Sequence, residues 1–346
     1  GKSTLTNAMV GQKVAITSNR PQTTRHTIRG IVHKDEYQLI LVDTPGIHRP
    51  RTLLGERLND LVASTLSQVD VLGFCIPANE KIGPGDRYIA SQLVASSNKP
   101  VVAIVTKADT VSSEELREQL LAVEALGEEV MSAERAARAK RAAHRAKQKG
   151  KGPKGKGGKN DAVPFAKGSG PAAKRRAGEV SEPMPVDGKG GWAAIIPVSA
   201  VKHFQVDAVA DLLAQYTPLS PPLYPEGELT DEPEATLIAE LVREAALEGA
   251  REELPHSIAV TVEEMEFREG RPEDNPLLDV HVNLFVERES QKYIIIGKGG
   301  SNLRKIGTKA REQIEAMLGT RIYLNIHVKV AKEWQSDARA LNRLGF

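Results

Sequence analysis

The sequence is short of the residues that staple small secreted folds or span membranes. One cysteine in 346 residues, Cys75, excludes a disulfide framework and fits a reducing compartment. Aromatics are only 4%, so the cores must be aliphatic, and with hydrophobic residues at 40% there are enough to build them. No stretch approaches the roughly eighteen consecutive apolar residues of a membrane-spanning helix. The visible start has no charged and apolar leader pattern. A cytoplasmic protein of about two domains is the simplest expectation. The formal net charge is also small, +2, but it is unevenly spread. Residues 134–189 carry 16 Lys/Arg against 5 Asp/Glu, and the remainder carries 31 against 40. One segment is strongly basic and the rest is acidic, so the overall pI describes neither.

Short apolar runs at 38–42 (QLILV), 71–76 (VLGFCI), 101–105 (VVAIV) and 193–197 (AAIIP) alternate with helical patterns at 55–68, 86–96 and 113–126. Buried strands alternating with helices predict an α/β domain with a mostly parallel sheet and helices on both faces, over residues 1–217. Within it, residues 128–190 break the pattern. Ala, Lys and Arg dominate to 149 and could form a basic helix, then KGKGPKGKGGK and a Pro/Ala/Gly/Ser stretch follow. That composition cannot bury enough apolar surface to offset its ordering entropy, so a disordered insertion is expected. The proline-rich stretch 218–225 (PLSPPLYP) opens a linker, 218–233. A smaller α+β domain is expected over 234–346: a helix at 234–253, strands at 257–267 and 278–287, a helical segment 291–296, a helix at 301–318, a strand at 321–330 and a short helical tail.

Gly1-Lys2-Ser3-Thr4 has the form of the end of a phosphate-binding loop, G-x-x-x-x-G-K-[ST]. In that loop backbone N–H groups wrap a phosphate, the lysine reaches the β and γ phosphates, and the serine holds Mg²⁺. The strand that leads into such a loop is absent from the sequence, so an incomplete sheet with impaired folding and turnover is expected. Val42-Asp43-Thr44-Pro45-Gly46 ends the next apolar strand. Asp43 there can hold a Mg²⁺-bound water, and the Gly46 N–H can approach a γ-phosphate. A plain Pro-Gly turn is the competing reading, and its placement about forty residues after Lys2-Ser3 weighs against it. Gln22-Thr23-Thr24-Arg25 lies between the two and offers a hydroxyl to complete a Mg²⁺ shell. Thr106-Lys107-Ala108-Asp109 ends the strand at 101–105. Asp109 can accept from guanine N1–H and the 2-amino group together, or serve only as a helix N-cap. Ser199-Ala200 follows the last strand, where a backbone N–H could meet guanine O6.

The order and spacing of these elements match the GTPases. In detail, Ile16-Thr17-Ser18, Pro21 to Gly30 (PQTTRHTIRG) and Asp43-Thr44-Pro45-Gly46-Ile47-His48 resemble the bacterial Era GTPases. The resemblance implies that Lys2, Ser3, Thr24, Asp43 and Gly46 serve phosphate and Mg²⁺, with Ser3, Thr24 and Asp43 around the metal. It implies that Lys107, Asp109, Ser199 and Ala200 serve the guanine of GTP or GDP. Two positions depart from the general GTPase pattern. Thr106 stands where Asn is usual, and Ile47 stands where Ras-like enzymes carry the glutamine that orients water.

In the second domain, Ile296-Gly297-Lys298-Gly299-Gly300 carries G-x-x-G between two helical segments. The KH module uses such a loop to clamp about four nucleotides. Residues 291–332 hold 9 Lys/Arg against 2 Asp/Glu, including Arg304 and Lys305 on the following helix, which favours RNA over a plain turn. Residues 240–257, 297–319 and 328–344 resemble the type II KH domain of the same family. The resemblance implies a GTP-hydrolysing protein that binds 16S rRNA, assists assembly of the 30S subunit and associates loosely with the inner face of the membrane. Two other classes stay open on sequence: an RNA-binding protein with an inactive G domain, and a tRNA-modification GTPase.

Overall fold

The apolar runs of the first domain become strands whose order is set by the helices between them. A computed structural model describes residues 1–17, 23–47, 50, 52–96, 98–149, 191–248 and 257–346, without the side chains of 144–149. The expected disorder of the insertion, beyond residue 149, lies outside the described residues. Strands β1 (Ile28–His33) and β2 (Gln38–Asp43) pair antiparallel. Strands β3 (Leu72–Pro77), β4 (Val101–Thr106) and β5 (Ala194–Pro197) form a parallel ladder in the order β3-β4-β5. Among the described residues β2 and β3 share no ladder, so this domain's strands fall into two sheets.

All six residues of β4 are buried, as a parallel strand covered on both faces requires. Val101, Ala103 and Val105 face α3 (Pro84–Ser96) and α4 (Ser113–Lys149). Val102 and Ile104 share the opposite core with Leu5 of α1 (Lys2–Val10) and with Val209 and Leu213 of α5 (Val206–Ala214). Helix α2 (Leu53–Gln68) leads into β3. The helical pattern at 113–126 and the basic stretch after it are one helix of 37 residues. Its apolar anchors lie in its first half, among them Val123, Leu126 and Val130. Beside it, Trp192 re-enters the fold: its Nε1 donates to the Val123 carbonyl at 2.7 Å, and its ring meets Phe74 at 5.4 Å. A Cβ on Gly127 would lie 2.7 Å from that indole nitrogen.

The linker is laid along the β1–β2 pair. Leu229 O accepts from Ile31 N at 2.9 Å, and Gln38 exchanges hydrogen bonds with the backbone of Leu223 and Tyr224. Beyond it come α6 (Glu234–Glu248), β6 (Ala259–Phe267), β7 (Leu277–Val286), α7 (Glu289–Ile296), α8 (Ser301–Leu318), β8 (Arg321–Val330) and α9 (Ala338–Arg343). The end of the helix expected over 234–253 lies outside the described residues. The sheet order is β6-β7-β8, with β6 antiparallel and β8 parallel to β7. Leu241 and Ala245 of α6, and Ile306, Ala310 and Ile314 of α8, pack on the face formed by Val280, Val282 and Leu284. Burying each such side chain contributes about 1.5–3 kcal/mol.

Candidate nucleotide site and candidate RNA-binding loop

Helix α1 begins directly after Gly1, so its first backbone N–H groups have no helical acceptor and the positive end of its dipole lies there. Three oxygen-bearing side chains converge on that end from three separate elements. The Ser3 and Thr24 hydroxyls are 3.1 Å apart, and Thr24 Oγ1 donates to Asp43 Oδ2 at 3.5 Å. Asp43 closes β2 and is 3% exposed, and its Oδ1 has no hydrogen-bond partner among the described residues. Burial pushes its pKa up, against hydrogen bonds from Ser3 and Thr24 and the charge of Lys2. A buried carboxylate with an orphaned oxygen, flanked by two hydroxyls, suits a small hard cation such as Mg²⁺.

The loop after Asp43 follows the expected course. Thr44 is half-buried, Pro45 is buried, and a Cβ added to Gly46 would meet nothing within 4 Å. Ile47 packs against the β3–β4 core and presents no polar group that could orient water.

Loops at the C-terminal ends of β4 and β5 meet on one side of α1. Thr106 Oγ1 donates to Ile76 O at 3.4 Å and lies 4.0 Å from where a Cβ on Gly1 would be, so this strand end abuts the start of α1. Lys107 has a left-handed backbone, φ 58°, and its amine pairs with Glu80 at 3.3 Å. Asp109 is exposed in a 3-10 turn, Ala108–Thr110. Ala108 N donates to Val198 O at 3.2 Å, tying the two loops together. Ser199 is buried and its N–H donates to Phe204 O, which leaves Ala200 as the residue of the pair better placed to offer a backbone donor.

In the second domain, Gly297, Gly299 and Gly300 all have positive φ (71°, 59° and 75°), which only glycine adopts without strain. Lys298 and Gly299 are exposed. Asn302 closes the loop by donating to Ile294 O and Ile295 O at 3.0 and 3.1 Å. A Cβ on Gly297 would lie 2.7 Å from the Asn302 Cβ. An open groove of about 440 Å³ runs from Gly300 past Arg304 and Arg311 to the edge strand β8. Arg304 and Lys305 are exposed beside it, and no acidic residue stands in the first turn of α8.

The sequence reading missed the groups that hold the Thr24 loop against the second domain. Arg243 of α6 donates to Thr23 O, and Arg25 donates to Ile258 O at 2.5 Å while lying 5.4 Å from the centroid of Trp334. Glu244 bonds Lys13 and both the N–H and hydroxyl of Thr17. Arg243 is paired with Glu240 through two hydrogen bonds at 2.9 and 2.6 Å. Burial, followed by the neighbouring Arg243, pushes Arg25 down to about 9, so it stays charged at neutral pH. Glu240 is desolvated, yet Arg243 holds its carboxyl below the usual range. The signal was available: Glu240, Arg243 and Glu244 interrupt the apolar run 237–247 of the helix, and buried charges need partners.

Comparison with known proteins agrees with both halves. Residues 1–107 match the family described as 50S ribosome-binding GTPase, and residues 253–335 match the KH domain. GTPase Era of Streptomyces coelicolor is 55% identical over 346 residues, covering all of this chain and 91% of that protein. GTPase Era of Mycobacterium avium is 52% identical over 347 residues, covering 94% of that protein. Among solved structures, the Y63A variant of Aquifex aeolicus Era bound to GDP and aluminium fluoride matches with a TM-score of 0.76 at 29% identity, over all of this chain and 94% of that one. An Era complex with MgGDPNP and nucleotides 1506–1542 of 16S ribosomal RNA matches equally well, TM-score 0.76 at 30% identity with the same coverage. With a glycine-led helix start beside a buried carboxylate, a loop of positive-φ glycines in its second domain, and relatives alike along its whole length, the chain belongs to the GTPase Era family.

Proposed function

We propose that the chain hydrolyses GTP to GDP and phosphate in a G domain over residues 1–217. An RNA module over 234–346 then binds the 3′ region of 16S rRNA during assembly of the 30S subunit. The convergence of Ser3, Thr24 and the orphaned Asp43 oxygen at the start of α1 carries the reading. These three residues would hold Mg²⁺, which when bound neutralises charge on the phosphate oxygens. Gly1, Lys2, Ser3 and Thr4 supply helix N–H donors and an ammonium to the β and γ phosphates. Thr44, Pro45 and Gly46 bring a backbone N–H to the γ-phosphate, with Thr24 closing over it. Lys2, Thr24 and Gly46 thus stabilise the charge that spreads as water attacks. Asp109 selects guanine, the Lys107 stem covers the base and Ala200 meets O6. Gly297 to Gly300 clamp the RNA backbone, and Arg304 and Lys305 add charge.

The proposed place of action is the cytoplasm. Any contact with the inner membrane face would be peripheral, since no described helix is long and apolar enough to cross. The test is phosphate release from GTP and ATP across a Mg²⁺ titration, alongside binding of an RNA of the 16S 3′ sequence. GTP-selective, Mg²⁺-dependent turnover and tight RNA binding are expected. Turnover of both nucleotides alike, or RNA binding no tighter than to a scrambled sequence, would overturn it.

A further inference from the structure

The distal half of α4 has no role in either site. Its last packed apolar residue is Met131, and Arg138 makes the final described contacts with the domain body, to Asn98 Oδ1 at 2.6 Å and Val94 O at 3.0 Å. The helix nevertheless continues to Lys149, about 16 Å beyond Arg138 at the usual rise per residue. Residues 135–149 contain seven Lys/Arg and no Asp or Glu. Glu134 is the last acid, and it holds Arg138 at 2.9 Å and Arg141 at 3.6 Å.

Positions 138, 141, 145 and 149 follow one another at spacings of three, four and four residues, all Arg or Lys. By helical register these positions fall on one side of the helix, about 4.5–6 Å apart along the axis. Like charges at these spacings destabilise an isolated helix. A solvated helix normally relieves this with interleaved acids; here Glu134 serves the first two positions, and no acid follows it to residue 149. An outside polyanion would relieve it instead.

The intervening positions are mainly alanine, with no Trp, Phe or Leu between 135 and 149. A membrane-surface helix needs an apolar face of large residues, and a protein partner needs an anchor to bury. Neither is present. A regular cationic line without anchors fits a phosphate backbone.

We propose that residues 135–149 of α4 are a second RNA-contacting surface, carried by the G domain and separate from the glycine loop. The inference rests on the reading of the chain as an RNA-binding protein. The loop at 297–300 reads single-stranded RNA, and the α4 stripe grips phosphates of the adjoining structured RNA without regard to sequence.

The test uses the full chain and two fluorescent RNAs, a ten-nucleotide single strand of the 16S 3′ sequence and the same strand joined to a hairpin. The triple variant Arg141→Gln, Arg145→Gln, Lys149→Gln keeps helix-forming side chains and removes three charges. Against the extended RNA it should bind at least tenfold more weakly at moderate salt. Its plot of log affinity against log salt should be flatter by about two to three. The short strand should be bound as before. The charge-preserving variant Arg141→Lys, Arg145→Lys, Lys149→Arg should behave like the parent, and circular dichroism should show equal helix content in all three. An unchanged salt slope for the triple variant overturns the proposal. Equal losses in both variants, or a loss of binding to phosphatidylglycerol vesicles with RNA affinity intact, overturn it too. If the parent binds neither RNA, the RNA reading itself fails. If the parent binds both and the triple variant matches it, only this inference fails.

Discussion

The chain presents two helix starts led by glycine, Gly1 before α1 and Gly300 before α8, and they are equipped in opposite ways. Around the first stand a buried carboxylate, two hydroxyls and one lysine. Around the second stand Lys298, Arg304 and Lys305 with no acid in the first turn. Both can offer backbone N–H groups to phosphate. In the proposed reading the first adds an oxygen cage that would admit a cation between protein and phosphate. In the same reading the second would meet phosphate with its own charges. A triphosphate concentrates negative charge on one small group and calls for a divalent ion, whereas an RNA backbone spreads its charge and is met by distributed cations and close-approaching glycines.

The sharpest way to break the contrast is Asp43→Asn. It should lower GTP turnover at least a hundredfold and abolish its Mg²⁺ dependence, while nucleotide-free RNA binding is retained. Equal losses in both assays would mean that the two sites are not separately equipped. Next in size, Gly297→Asp with Gly300→Asp should weaken RNA binding about a hundredfold, because each side chain needs a strained backbone, and at Gly297 it also collides with Asn302. A gel shift at fixed salt reads this directly. Asp109→Asn should weaken GTP about tenfold to a hundredfold and improve xanthine nucleotide binding, since a 2-oxo group lacks the donor that the second carboxylate oxygen accepts. Competition with labelled nucleotide measures it.

The contrast also has a pH signature. Burial raises the Asp43 pKa, so its proton competes with a cation at a higher pH than for an ordinary aspartate. The Mg²⁺ concentration for half-maximal GTP binding should therefore rise as pH falls, from a point above the normal Asp range. RNA binding at the second loop should lack this dependence, and a parallel pH series would expose any shared titration. The smallest effect is expected from Asn302→Ala. It removes two hydrogen bonds that close the glycine loop, each contributing about 0.5–1.5 kcal/mol, so RNA affinity should fall severalfold to about tenfold.

Both loops were legible in the sequence because glycine, lysine and carboxylate at fixed spacing carry chemistry locally. The strands at 38–43, 72–77 and 101–106 were legible for a similar reason, as uninterrupted apolar runs. Strand β1 was harder: Ile28–His33 contains Arg29 and Gly30, and only pairing with β2 makes it a strand. Helix α5 is amphipathic but only nine residues long, and it too went unread. The contacts that hold the Thr24 loop were out of reach for another reason. Arg25 to Ile258 and Arg243 to Thr23 join residues more than two hundred positions apart. A periodic pattern reports which face of α6 is buried, but not that a GTPase loop covers it. The single helix from 113 to 149 shows the same limit, because composition changes near 133 while the backbone hydrogen bonding does not.

Trp192 shows how such a chain accommodates an insertion. Its indole fills the space a side chain at 127 would need, donates to α4 at Val123 and rests on Phe74, one residue before the chain joins the sheet. Two residues later Ala194 pairs with Val102, so the register of β5 is set from this point onward. Whatever enters or leaves between 150 and 190 is thus insulated from the sheet by a clasp that closes after it. In evolutionary terms this is a seam, where a change in sequence length would leave the loop after β5 in its place.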